Sequence, residues 1–323
     1  MPKILHTARY TGAPWEILKS LVPRGFEVET LKELNYDSLS SQACDADYFL
    51  VSGRLPIDDH VLSVSKRLKM IQRTGVGTEM LDMEAIKCRN IPVYMNAGVN
   101  ARSVAEHTLT LMLACLKRLP QINAQTHAGI WKKQQQGIST HELHGKTVAL
   151  VGMGNIGRTV ASLLQPFGVN IIYTDLFRQS IGVEEQLNLT FCEQFESLLS
   201  EADVLSLHCP LTKENTGMLN KDTLAKMKSG AVIVNTARGK LIIPDDLYEA
   251  LKNGHIQAAG LDTHYEEPIP ESSKLARLDN VILTPHIGGL SFEAFHDMMQ
   301  KAISNIVAFE KGELESIENN KLQ

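Results

Sequence analysis

The stretch Thr147–Leu164, TVALVGMGNIGRTVASLL, decides the fold. TVALV is a short β-branched and apolar run of the kind that forms a buried strand, and RTVASLL has the spacing of an amphipathic helix. Between them Gly152, Gly154 and Gly157 form a GxGxxG pattern. Alone this pattern is a weak signal. Between a strand and a helix it has a mechanism: the first glycine permits a tight turn, the second lets the backbone approach a pyrophosphate, and the third lets helix and strand pack closely. The helix N-terminus, opening with Asn155 and Ile156, then offers unpaired N–H groups and a positive dipole end to an anion. The next apolar run, NIIYTD, ends at Asp175, close to the roughly 20-residue offset at which an acid accepts hydrogen bonds from an adenosine ribose. A carboxylate there repels the 2′-phosphate of NADP, so NAD is the expected cofactor; Arg178, just downstream, leaves room for dual use.

Outward from this loop the rhythm continues. DVLSLH, AVIVNTA, QAAGLD and NVILT are further candidate strands, separated by helical patterns such as PDDLYEALKNG. Upstream, KILHT, EVETL, YFLVSG, MIQRTG and VYMN alternate with longer amphipathic stretches. Both halves therefore predict parallel α/β sheets. Between them, NARSVAEHTLTLMLACLKRL predicts a long helix. Ser103 and Glu106 have capping-box spacing, and Val104, Thr108, Leu111, Met112 and Cys115 share one face. A last helix is predicted over about Ser291 to Lys311, and periodicity does not assign it to either domain.

Composition narrows the functional classes. The 323 residues suffice for two ordinary domains, and 43% hydrophobic content with a net charge of -5 argues against disorder. A mildly acidic chain without Lys/Arg runs lacks the basic surplus that nucleic acid selects. The opening residues contain no signal-peptide core, and no apolar run approaches the roughly 18 residues that span a bilayer, so no membrane partner and a cytoplasmic location are expected. Five scattered cysteines without a CxxC pair suit reduced thiols.

Three segments at the carboxyl ends of predicted strands carry candidate chemistry, since ligands of open α/β sheets bind there. VIVNTARGK delivers Arg238, whose planar guanidinium suits two-point capture of a carboxylate. AAGLDTHYEEP delivers Asp262, Glu266 and Glu267. LTPHIGG delivers His286, the natural proton carrier near neutral pH, for which Glu267 is the candidate partner fixing its tautomer. The glycines beside His286, Gly288 included, are expected to leave space for a nicotinamide.

RTGVG, NARSVAEHTL, LVGMGNIGR, HCPLT with ENTGMLN, NTARG, GLDTHYEEP and TPHIGG, in this order, resemble the D-isomer-specific 2-hydroxyacid dehydrogenase family over nearly the whole chain. The resemblance implies two Rossmann-like parallel-sheet domains. One is a flavodoxin-like substrate domain, residues 1–99 plus 290–323; the other is an inserted NAD-binding domain, residues 100–289. It implies hydride transfer between NAD(H) and a small 2-hydroxy or 2-oxo acid bound in the interdomain cleft, with Arg238, Glu267 and His286 as catalytic residues. It further implies cofactor contacts at Val76, Asn155, Ile156, Asp175, Cys209, Thr236, Ala237 and Asp262, beside Gly152, Gly154, Gly157 and Gly288 of the glycine segments, and a homodimer; no metal is expected. Ser52, Gly53, Arg54, Gly75, Val76 and Arg238 are the expected substrate-binding residues, the glycines allowing backbone N–H groups to approach a carboxylate.

Other readings stay open. HELH, with His141 and His144, has helical spacing for a metal pair but no third and fourth ligand. His264 stands where an aromatic or aliphatic residue is usual; it is read as a core variant or a cleft residue, and the core role is the one expected. Trp131 and His127 either pack at a subunit interface or border the active site of a partner chain, and packing is expected. Glu79-Met80 and Lys240 depart from the family pattern and bear on subfamily. The substrate is left open among glyoxylate, hydroxypyruvate, phosphohydroxypyruvate and branched oxo acids. A second class is an NAD(H)-sensing corepressor on the same fold.

Overall fold

The computed structural model describes residues 1–322. Met1–Asn100 and the segment from Phe292 onward form one compact unit, and Ala101–Ser291 form another. In the first unit, strands β1 (Lys3–His6), β2 (Glu27–Thr30), β3 (Tyr48–Val51), β4 (Met70–Arg73) and β5 (Val93–Tyr94) alternate with helices α1 (Ala13–Leu21), α2 (Tyr36–Ala43), α3 (Asp59–Val64) and α4 (Met83–Cys88). The sheet is parallel throughout in the order β2-β1-β3-β4-β5, the flavodoxin-like order. Helices cover both faces of such a sheet, and β3 and β4 are accordingly buried at every residue. Asn35, Asp58 and Asp82 start α2, α3 and α4, each accepting a backbone N–H near the helix start, from Ser38, Val61 and Ala85.

The second unit opens with α5 (Ala101–Leu116), α6 (Leu119–His127) and α7 (Lys133–Ile138). It continues as β6 (Thr147–Val151), α8 (Asn155–Leu164), β7 (Asn170–Thr174), α9 (Ile181–Leu187), β8 (Leu189–Phe191), α10 (Phe195–Glu201) and β9 (Val204–Leu207). It closes with α11 (Lys221–Ala225), β10 (Ala231–Asn235), α12 (Pro244–Lys252), β11 (Ile256–Leu261) and β12 (Val281–Leu283). Its parallel sheet runs β12-β11-β10-β9-β6-β7-β8, which is the Rossmann order with a seventh strand added beside β11. β8, LTF, is too short and too mixed to announce itself in the sequence.

The chain returns to the first unit in α13 (Phe292–Glu310), whose apolar face, including Met299, Ile303 and Ile306, packs in the core with Ile4, Leu18 and Tyr48. Buried polar bonds fix its register: Asn305 Nδ2 donates to Gln72 Oε1 at 3.0 Å, and Asn96 Nδ2 donates to the Met298 carbonyl at 2.8 Å. These groups would be costly to bury unpaired.

One local expectation is corrected. The capping box at Ser103 and Glu106 does not form, because α5 already begins at Ala101. Ser103 Oγ instead donates to the Gly288 carbonyl at 2.7 Å, and Glu106 pairs with Arg102. HELH lies in a turn before β6, where His144 Nδ1 stands 3.1 Å from the Phe167 carbonyl. The face of α5 is as the periodicity predicts, with Val104, Thr108, Leu111, Met112 and Cys115 all buried.

Candidate active site

The turn after β6 is shaped by backbone geometry. Gly152 sits at φ 98°, and a Cβ on it would lie 2.6 Å from the Cys209 nitrogen; a Cβ on Gly157 would lie 2.2 Å from the Gly152 carbonyl oxygen. No side chain larger than hydrogen fits either position. Gly154, by contrast, faces open space and caps α8 without a side-chain bond, so the first N–H groups of this ten-residue helix, at exposed Asn155 and half-buried Ile156, remain available to an anion. Asp175, one residue past β7, accepts the Met153 N–H at 2.6 Å and the Phe177 N–H at 3.2 Å. It thereby fastens the glycine turn and keeps acceptor capacity, since a carboxylate offers about four sites. A tight glycine cradle, an open helix N-terminus and an acid at the next strand end fit a dinucleotide pyrophosphate and ribose.

Cys209 lies across the cradle, its thiol pushed up to about 11 by burial. Thr236 and Ala237 follow β10. The Thr236 hydroxyl meets that of Thr108 on α5 at 2.8 Å, and the Ala237 N–H donates to Asn235 Oδ1 at 3.0 Å. Asn235 is fully buried, and its Nδ2 also donates to the Arg238 carbonyl at 2.9 Å, so one side chain closes the turn that presents Arg238. Sequence reasoning passed over Asn235 because it reads as the polar end of a strand.

The strand-end segments of β11 and β12 meet through Asp262. This side chain is 2% exposed and accepts from the Thr284 hydroxyl at 2.6 Å, the Ile287 N–H at 2.9 Å and the Gly288 N–H at 2.9 Å, with His107 Nε2 at 3.4 Å. Burial opposes its charge, but the donors from His107, Thr284 and the turn outweigh burial and hold its carboxyl well below the usual range. Asp262 is thus a brace for the PHIGG turn. His107, on α5, was missed, since one histidine in a helix gives no periodic signal. Gly288 is set by this brace: a Cβ there would lie 2.9 Å from Asp262 Oδ2, so packing on the carboxylate favours glycine.

The brace holds His286 in an uncommon backbone state. Its φ is 56°, in the left-handed region, and its N–H donates to the Asp262 carbonyl at 2.8 Å. In this pose Nδ1–H donates to Glu267 Oε2 at 2.9 Å, while Glu267 Oε1 accepts the His264 N–H at 3.0 Å. The hydrogen bond to Glu267 raises the His286 pKa above its ordinary value against the opposing effect of burial. Burial works against the Glu267 charge, yet His286 and the His264 N–H together lower its pKa. His264 is therefore no core residue. It is half-buried at the site, where Nε2–H donates to the Thr284 carbonyl at 2.8 Å and its backbone fixes Glu267. Arg238 lies near enough for its charge to act on His286, and its Nη1 donates to the Ala237 carbonyl at 2.8 Å.

In the first unit, Ser52, Gly53 and Arg54 follow β3, and Gly75 and Val76 follow β4. Arg73, 7% exposed, ties the two loops together: Nη1 donates to the Val51 carbonyl at 3.0 Å and Nε to the Gly77 carbonyl at 2.6 Å. A Cβ on Gly53, at φ 79°, would lie 2.7 Å from Nη1 of this guanidinium, so the turn requires glycine. Arg54 and Val76 are exposed.

Residues 109–288 match the D-isomer specific 2-hydroxyacid dehydrogenase, NAD binding domain. The chain belongs to the D-isomer specific 2-hydroxyacid dehydrogenase family. It is 39% identical to a D-3-phosphoglycerate dehydrogenase of Methanocaldococcus jannaschii over 87% of its length and 52% of that protein's. It is 37% identical to a hydroxypyruvate reductase of Thermotoga maritima over 82% of its length and 85% of that protein's. A D-lactate dehydrogenase of Aquifex aeolicus, crystallised with NAD and lactic acid, superposes with a TM-score of 0.85 at 26% identity, covering 99% of this chain and 98% of that one. The chain spans about half the length of the phosphoglycerate dehydrogenases it matches, 56% and 52% of two of them. Among the described residues no helix is long and apolar enough to cross a membrane.

Proposed function

We propose that this protein is an NAD-dependent oxidoreductase acting at C2 of a small D-2-hydroxy or 2-oxo acid. The observation that carries the reading is the His286–Glu267 pair, a raised-pKa imidazole with a fixed tautomer at a strand end of the same unit that holds the glycine cradle. A nicotinamide coenzyme, when bound, supplies or accepts the hydride. In the reductive direction His286 Nε2–H gives its proton to the substrate oxygen while C2 gains the hydride, and the C=O double bond becomes C–O–H. Glu267 orients the ring through Nδ1 and stabilises the imidazolium before the transfer. In the oxidative direction the neutral ring takes the hydroxyl proton.

Arg238 is the anchor proposed for the substrate's carboxylate and carbonyl oxygens. Backbone N–H groups of Gly53, Gly75 and Val76 are the further carboxylate donors proposed, with Arg73 as the brace that shapes both loops. Gly152, Gly154, Asn155, Ile156, Gly157 and Asp175 hold the pyrophosphate and adenosine ribose in this reading; Val76, Cys209, Thr236, Ala237, Asp262 and Gly288 line or brace the rest. The names of the relatives support glyoxylate, hydroxypyruvate, phosphohydroxypyruvate and lactate or pyruvate as the compounds to test. Loss of NADH absorbance with each oxo acid, repeated with NADPH, tests the proposal; no oxidation with any of them, despite NADH binding, overturns it. A homodimer is also proposed: Leu119, Ile130, Trp131 and Ile138, all on the α6–α7 stretch, are exposed apolar residues. Sedimentation equilibrium at twice the chain mass is the expected result.

A further inference from the structure

The loop Asp175–Ser180, after β7, contains a single cation, Arg178. A cation at this place is what a dinucleotide site uses to accommodate a 2′-phosphate. Here it is engaged. Arg178 Nε donates to Glu184 Oε1 and Nη2 to Glu184 Oε2, both at 2.9 Å, in the two-point geometry that matches a guanidinium to a carboxylate. The Arg178 carbon lies 5.3 Å over the Phe191 ring on β8. Glu184, on α9, is itself almost fully buried, and Tyr173 OH on β7 donates to Oε1 at 2.6 Å. The Gln179 N–H in turn donates to the Tyr173 hydroxyl at 2.9 Å, which pins the loop beside the pair. The Arg178 fork and the Tyr173 hydroxyl hold the Glu184 pKa down to about 2, so the acid is charged across the physiological range.

We infer that Glu184 is a specificity-determining residue for the coenzyme: by holding Arg178 in a two-point ion pair it withdraws the loop's only cation from a 2′-phosphate, leaving the Asp175 carboxylate to repel that group. The inference rests on the NAD reading above. Selectivity then has two parts, repulsion by Asp175 and sequestration of Arg178 by Glu184. Neither part requires a side chain of the glycine cradle.

The test is calorimetric binding of NADH and NADPH to the full chain, so the readout is independent of turnover. In E184Q the amide can accept from Tyr173 but cannot accept both arms of the fork, and Arg178 is released. NADPH affinity should rise about tenfold, the scale of one charge-assisted contact at a screened site, with NADH affinity nearly unchanged. The gain should vanish in E184Q combined with R178Q and fade at high salt. An independent arm uses R178Q alone: a sequestered arginine contributes nothing to NADPH binding, so affinity should stay as in the unmodified protein, and a tenfold loss overturns the inference. Unchanged NADPH affinity in folded E184Q, a gain that survives R178Q, or equal affinity of the unmodified protein for both coenzymes overturns it too. Failure of the unmodified protein to bind either coenzyme would instead remove the NAD reading on which it stands.

Discussion

Glu267→Gln changes one charge at the centre of the site and keeps its shape. The pair is half-exposed, 49% for His286 and 40% for Glu267, so water screening applies and the dielectric of bulk water is the appropriate end of the scale. Two unit charges 2.9 Å apart then interact by about 1.4 kcal/mol, which corresponds to about one pKa unit. The sign follows from the chemistry. Reduction needs protonated His286, so kcat/KM for an oxo acid is flat below the raised His286 pKa and falls above it. Losing the carboxylate moves that limb toward lower pH by about one unit. Hydrogen bonding adds a second effect. The His264 N–H needs an acceptor, so the glutamine oxygen stays there and its NH₂ faces His286 Nδ1. The ring is then driven to the tautomer with the proton on Nε2, which cannot take a proton in the oxidative direction. Rate profiles against pH in both directions are the assay. At any one pH the reaction's equilibrium ties kcat/KM in the two directions, so both should fall together while the reductive limb moves toward lower pH; an unmoved reductive limb would refute the reasoning.

Three further outcomes are expected. His286→Ala should lower turnover roughly 10²- to 10⁴-fold while calorimetric NADH affinity stays as it was, because the ring acts on the proton and not on the cradle. Gly152→Ala places a Cβ 2.6 Å from the Cys209 nitrogen at φ 98°; it should destabilise by about 1–3 kcal/mol, read as a lower urea midpoint at unchanged slope, and abolish NADH binding. Asp262→Asn removes a carboxylate whose pKa is depressed in the fold, so its stabilisation is present above the unfolded carboxylate pKa and is lost as pH falls through the lower folded value. The variant should be less stable by about 2 kcal/mol at neutral pH, with the difference from the unmodified protein shrinking once pH falls below about 4.

What the sequence conveyed follows from how each signal is encoded. Strand and helix periods are local, and so was the reading of TVALVGMGNIGRTVASLL as strand, turn and helix; the two parallel sheets followed from repetition of that rhythm. Glu267 and His286 were legible as a pair because each ends a segment that follows a strand, and the structure brings their side chains to 2.9 Å. The residues that hold these groups in place were not legible. His107 reaches Thr284 across 177 positions, and Asn305 reaches Gln72 across 233; pairings of that range leave no trace in a single chain's spacing. Ser103 and Glu106 matched a capping pattern, but the helix had begun two residues earlier, freeing Ser103 to bond the PHIGG turn. His264 stands at a position where an apolar residue is usual, which favours a core reading over a cleft one; the bonds of its backbone to Glu267 and of its ring to the Thr284 carbonyl leave no sign in the sequence.

The most direct measurement is isotopic. NADH carrying deuterium at both C4 positions is incubated with the oxo acid that oxidises it fastest, and the product acid is examined by mass spectrometry and proton NMR. The account predicts one deuterium at C2 of a D-2-hydroxy acid, with transfer lost in step with turnover in His286→Ala. Coenzyme that binds but delivers no deuterium to C2 of any acid in the panel would contradict it and favour a chain that senses NAD(H) without transferring hydride.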